Sequence, residues 1–136
     1  MSDPADVTGV WYGRYVSRTD AQENSFIAVL EEANGTFTGV ITEPDALSGG
    51  IRRANVAGRR DGAAVAFVKQ YDGSGGWSHA VHYGGRIDGD GTAIAGGWKV
   101  EWVSGHFTMT REKFAAEELE DAGEVEIVAP GGGRAR

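Results

Sequence analysis

Apolar and polar side chains alternate with a period of two in eight successive runs, the pattern of strands that turn one face to a core. The runs are Thr8–Ser17, Asn24–Glu32, Thr36–Glu43, Arg52–Arg60, Ala63–Tyr71, Trp77–Ile87, Thr92–Trp102 and Gly105–Arg111. Three connections, Ala33-Asn34-Gly35, Arg60-Asp61-Gly62 and Asp88-Gly89-Asp90-Gly91, carry the Asn/Asp-Gly chemistry of tight hairpins. Between them lie looser loops, Arg18–Glu23, Pro44–Ile51 and Asp72–Gly76, with a shorter one near Val103-Ser104. In a meander, alternate connections fall at the same end. The tight turns therefore gather at a closed floor and the loose loops at an open mouth. Residues 1–111 are expected to form an all-β domain, an eight-stranded antiparallel up-and-down barrel, which also removes exposed sheet edges. An open sandwich of the same strands is the alternative.

Beyond Arg111 the pattern changes. Residues 112–122 read as a short acidic helix that stops at Gly123, with Ala115, Leu119 and Ala122 as a thin apolar stripe. Glu124–Val128 alternates like a strand, and Pro130–Arg136 reads as a disordered tail. Residues 112–136 thus form an acidic second segment: a solvated tail, a lid, an oligomer contact or a partner-binding strand.

If Trp11 faces inward, strict alternation carries Gly13, Tyr15 and Ser17 inward with it. The same parity gives an apolar interior near the tight turns, including Phe26, Leu30, Phe37, Ile41, Val56, Phe67, Ile94 and Met109. Towards the loops the inward positions become aromatic and charged. The candidate ligand-binding residues are Tyr15, Ser17, Glu43, Arg52, Lys69, Tyr71, His79, Tyr83, Trp98 and Trp102. Such a gradient suits a pocket with a dry base and a few polar groups at its entrance. Lys69 is the sharpest anomaly, an inward cation between Phe67 and Tyr71. It either pairs with Glu43 inside the barrel, points at a ligand carboxylate or carbonyl, or is tuned by desolvation for catalysis.

Composition narrows the partners. A net charge of −7 argues against nucleic acid and against an anionic membrane surface. No cysteine is present, which removes disulfides and thiolate chemistry, and 22 glycines fit tight turns better than helices. The first residues lack the basic start and apolar run of a signal peptide, and no run reaches membrane-span length, so a cytoplasmic location is expected. His79 and His82 lie on opposite faces of one strand and His106 faces out, so no metal site is expected, nor any cofactor. Asp72–Gly76 is Gly-rich but joins two strands, and so reads as a mouth loop rather than a phosphate cradle. Val10, Val16, Ile27, Val29, Val40 and Val68 face outward, which predicts cover by the terminal helix or a homodimer or tetramer.

A Gly-x-Trp opening strand, seven further strands and a basic residue ending the last strand resemble the calycin barrels, the superfamily of lipocalins, fatty-acid-binding proteins and avidins. The resemblance implies that Trp11 plugs the closed end with Arg111 lying across it. The spacing is most similar to avidin and streptavidin: Thr8-Gly9-Val10-Trp11-Tyr12, Phe37-Thr38-Gly39, Gly58-Arg59, Trp98 and Gly105-His106 echo their strands. Of the positions that implies for biotin recognition, only Ser17 is kept. Gly13, Ile41, Glu43 and Phe107 stand where polar contacts would be, so biotin is not the expected ligand.

Three functions follow. The first is a small-molecule-binding barrel for an apolar ligand with a polar or anionic end at the mouth. The second is a cofactor-free isomerase or cyclase using Glu43, Lys69, His79 and Tyr83. The third is a non-enzymatic interaction module with a filled core.

Overall fold

A computed structural model describes residues 3–19, 22–45 and 49–112. The expected terminal helix (past Glu112), strand-like run and tail lie outside the described residues. Eight strands close into one antiparallel meander barrel: β1 Gly9–Ser17, β2 Glu23–Ala33, β3 Thr36–Pro44, β4 Ile51–Asp61, β5 Ala64–Tyr71, β6 Ala80–Ile87, β7 Ala93–Lys99 and β8 Ser104–Thr110. Each pairs with its neighbour in sequence, and β8 returns to β1 through Tyr12↔Thr110 to Ser17↔Gly105. Among the described residues the sheet has no free edge, and the sandwich alternative is excluded.

The turns follow their chemistry. Asn34 and Gly35 both take positive φ, 57° and 81°, which the two central positions of a type I′ hairpin require. Asp88 accepts hydrogen bonds from the backbone N–H of Thr92 (2.8 Å) and Ala93 (3.2 Å), which fixes the third tight turn. All three tight connections lie at the end where β1 begins and β8 stops.

Parity holds through the strands. The inward side chains from Trp11 to Met109 are buried, while Val10, Ile27, Val29 and Val40 are 45–48% exposed on the outer wall. Two strand ends depart from expectation. β6 begins at Ala80 rather than Trp77, because Ser74–Gly76 form a short 3-10 turn and the Gly73 N–H bonds to the Trp77 carbonyl at 2.8 Å. β7 stops at Lys99 rather than Trp102, because the Val100 N–H turns back to the Val103 carbonyl at 2.9 Å. Alternation ends where the ladder ends, and Trp102 is 68% exposed.

The closed end is sealed by more than Trp11. Arg111 lies 4.3 Å over its indole. That guanidinium donates to the carbonyls of Gly91 (2.8 Å), Thr8 (2.7 Å) and Asp6 (2.5 Å). The Trp11 indole N–H donates to the Val7 carbonyl at 2.9 Å, and Val7 is fully buried. Glu32 accepts from the Val7 N–H (2.9 Å) and pairs with Arg60, which also reaches Asp3. Residues 3–8 therefore strap the barrel floor, a role the alternation pattern does not reveal because they belong to no strand.

Candidate functional site

The lower half of the barrel is packed with buried aromatic and aliphatic side chains. Phe67 stacks on Tyr83 at 4.6 Å and 7°, and Phe37 and Phe107 meet Phe67 edge-on. Glycines make room for these rings. A Cβ on Gly13 would fall 2.1 Å from the tip of the Phe26 ring, so that ring occupies the space a side chain there would need. Above this packing, at the loop end, the interior opens into a cavity of about 780 Å³.

A charged cluster forms its floor. Glu43 is fully buried, and four side chains from three strands (β1, β4 and β5) converge on it. Lys69 Nζ lies 2.6 Å from Oε2, the Tyr15 hydroxyl donates to Oε1 at 3.0 Å, and the Tyr71 hydroxyl lies 2.9 Å from both oxygens. Arg52 adds Nη2 at 3.2 Å and reaches outward to Asp45 at 3.3 Å. The ammonium of Lys69, itself 1% exposed, faces the rings of Tyr15, Tyr71 and Tyr83 at 4.5, 4.7 and 5.2 Å. A cation over ring faces gains electrostatically where water is scarce.

Burial dominates the titration of these groups. It draws Lys69 down to about 8, against the opposing pull of Glu43. Burial, reinforced by the Glu43 charge, pushes Tyr15 up to about 12 and raises Tyr71 and Tyr83 as well. All three tyrosines therefore stay protonated at neutral pH. His79 is lowered by burial and by nearby Lys69, which leaves its ring neutral.

The ten residues singled out from the sequence fall into three positions. Tyr15, Arg52, Lys69, Tyr71, Tyr83 and Trp98 line the cavity from buried positions. Ser17, His79 and Trp102 line it at the rim, where Ser17 Oγ bonds Thr19 Oγ1 at 2.7 Å and His79 packs 5.3 Å from the Trp102 ring. Glu43 does not line the cavity but lies beneath it, holding the donors that do. The Trp98 indole N–H is already committed to the carbonyls of Val16 and His106, both at 3.1 Å, so only its ring is offered to the cavity. Charged and polar groups thus sit at the base of the cavity, where a dry base was expected, and its rim mixes aromatic rings with polar side chains such as Ser17, Thr19 and Asn24.

Trp77 is the contributor that strand parity missed. It sits 3.9 Å over the Arg52 guanidinium and edge-on to Tyr71 at 5.1 Å, in the loop between β5 and β6. The available signal was an aromatic residue in a Gly-rich loop between two inward aromatics, Tyr71 and His79. Asp45, the second carboxylate on Arg52, was also missed, because it follows the last residue of its strand. Among the described residues no three His, Cys, Asp or Glu side chains converge as metal ligands, and His82 and His106 are exposed.

No protein-family model matches the chain, and no curated protein matches it in sequence. Solved structures do match in fold. A redesigned β-barrel superimposes with a TM-score of 0.69 at 12% identity, covering 81% of this chain and 95% of that one. A redesigned barrel, mFAP1, bound to DFHBI gives 0.65 at 10% identity, over 81% and 100%. A de novo designed fluorescence-activating barrel gives 0.59 at 15% identity, over 82% and 100%. At these identities the likeness establishes the eight-stranded antiparallel barrel.

Proposed function

We propose that the barrel binds a small molecule in the cavity at its loop end, with the ligand's apolar body among the rim aromatics and its polar end on the buried floor. The observation that carries this is the contrast within one interior: a lower half of buried, packed side chains, and above it about 780 Å³ of space whose lining includes aromatic rings and a buried ammonium. A filled-core interaction module has no use for that space. A general base is poorly served too, because all the acceptor capacity of Glu43 is taken by its four neighbours. The mFAP1 barrel, bound to DFHBI, supports small-molecule binding as a use to which this architecture is suited.

On the same reading the ligand-binding set is Tyr15, Ser17, Arg52, Lys69, Tyr71, Trp77, His79, Tyr83, Trp98 and Trp102, with Glu43 organising the floor. Kinship with the calycin barrels, avidins among them, is supported by Arg111 lying across Trp11 at the closed end. Assembly as a homodimer or tetramer is supported by Tyr12, Val10, Ile27, Val29 and Val40, exposed on the neighbouring strands β1 to β3. We assign residues 1–111 to the barrel and residues 112–136 to a separate acidic segment, in a cytoplasmic protein.

Thermal-shift screening of metabolites against the purified chain tests the ligand reading. At least one compound is expected to stabilise it, with the shift reduced by Trp77→Ala and by Val81→Phe, which fills the cavity. A stabilising compound that ignores both substitutions binds elsewhere, and the reading fails.

A further inference from the structure

The base of the cavity is rich in donors: Lys69, Arg52 and the hydroxyls of Tyr15, Tyr71 and Tyr83 line it. A carboxylate has about four lone-pair sites. Those of Glu43 are filled by Tyr15, Arg52, Lys69 and Tyr71. Lys69 carries three N–H donors and spends one on Glu43; ring faces surround the rest. The Tyr83 hydroxyl is the one buried side-chain polar atom without a hydrogen-bond partner among the described residues, and its side chain lines the cavity. A buried hydroxyl left unpaired is costly, and such groups are normally satisfied by something. Here an unpaired hydroxyl and an ammonium whose one hydrogen bond goes to Glu43 belong to side chains that line one cavity.

The charges choose the acceptor. Lys69 and Arg52 are both buried against Glu43; Asp45, which lines the cavity nearer the loops, pairs with Arg52, so Lys69 shares with Arg52 the one carboxylate beside it. An oxygen that carries negative charge gains from the ammonium in this low-dielectric site, whereas an amine placed beside Lys69 Nζ would meet another donor. The ring faces and edges of Tyr71, Trp77, His79 and Trp98 give the cavity flat wall surface among its aliphatic and polar side chains. We infer that the cavity takes a planar aromatic oxyanion, a carboxylate or a phenolate, with its oxygen between Lys69 Nζ and the Tyr83 hydroxyl. This rests on reading the cavity as a small-molecule site.

The inference also sets a pH dependence. Lys69 is faced by Tyr15 from β1, Glu43 from β3, Arg52 from β4, Tyr71 on its own strand, Tyr83 from β6 and His79 from the preceding loop. Near pH 8 the tyrosines remain protonated, Arg52 remains charged and His79 is neutral, so Lys69 is the donor that changes state there. Affinity for an anion should be flat below about pH 8 and fall above it as the ammonium is lost.

The test titrates the chain by calorimetry with para-nitrobenzoate, its neutral methyl ester, and para-nitrophenol, whose phenol and phenolate absorb at different wavelengths. Para-nitrobenzoate is expected to bind at least about ten-fold tighter than the ester, and para-nitrophenol to bind as the phenolate. Tyr83→Phe should weaken the anions about ten-fold, leave the ester unchanged and leave the melting temperature equal or higher, since it removes an unpaired group. Lys69→Met should abolish the anion preference and its loss above about pH 8. Equal affinity for anion and ester, or no effect of Tyr83→Phe, overturns the inference while leaving the cavity a binding site. Failure of all three probes to bind, in a chain whose melting temperature no aromatic compound raises, overturns both.

Discussion

Each end of the barrel has an arginine lying on a tryptophan, and the two pairs are built for different purposes. At the closed end Arg111 covers fully buried Trp11, and backbone carbonyls take its N–H groups. At the mouth Arg52 covers Trp77, which is 38% exposed, and its partners are two carboxylates on either side of it. Those carbonyls belong to the 3–8 strap and the turn between β6 and β7, so the first pair ties the backbone of the closed end together. Side-chain carboxylates can exchange partners, so the second can adjust around a guest. The floor of the mouth keeps unspent donors, whereas the floor of the barrel keeps none among its described buried side chains.

The largest effect expected from this contrast is at the closed end. Trp11→Ala removes the buried plug and the surface beneath Arg111, and should lower stability by about 3–5 kcal/mol in urea denaturation. A loss below about 1 kcal/mol would mean that the strap formed by residues 3–8 seals the floor unaided. At the mouth, Glu43→Gln leaves Lys69 without its anion and should cost about 3 kcal/mol, close to the range for breaking a buried ion pair. Retained stability there would show that the ring cage alone holds the ammonium.

Raising the pH separates the two ends without mutation. Lys69 has a folded pKa of about 8 against an unfolded value of 10.5, so the unfolded chain binds more protons in between and stability rises with pH over that window. Tyr15 works the other way: raised from 10.0 to about 12, it contributes stability that is fully present below pH 10 and lost as pH climbs towards 12. Denaturation midpoints should therefore rise by about 2 kcal/mol equivalents from pH 8 towards 10 and fall beyond it. Lys69→Met should flatten the rise, and a rise that survives it must belong to another group. The smallest effect belongs to the rim. Trp77→Ala should change stability by less than about 1 kcal/mol, as for most exposed positions, while reducing ligand-induced stabilisation. A larger loss would make Trp77 a structural clamp on Arg52.

Much of the fold was legible because its cues are local. Asn34-Gly35 and Asp88 specify tight turns within a few residues, and alternation from Trp11 to Met109 fixes which face each side chain takes. The inward placement of Glu43, Lys69, Tyr71 and Tyr83 followed from that alone. Parity could not set how deeply Trp102 is buried, because it lies past the last β7–β8 ladder pair, where nothing enforces alternation. The strap of residues 3–8 was invisible because its signal is a contact with Glu32 and Arg111, far along the chain.

The sequence by itself determined eight strands, their turns and the inward or outward sense of each residue, since these depend on neighbours one or two positions away. Only the tertiary structure decided the height of each side chain in the barrel. Height depends on the stagger accumulated around all eight strands at closure, which is a global quantity. The pairings Glu43↔Arg52, Ala54↔Tyr71 and Val56↔Lys69 bring a carboxylate on β3 level with an ammonium on β5. That stagger turns scattered inward polar residues into one floor, and leaves Tyr83 and Lys69 lining the same cavity.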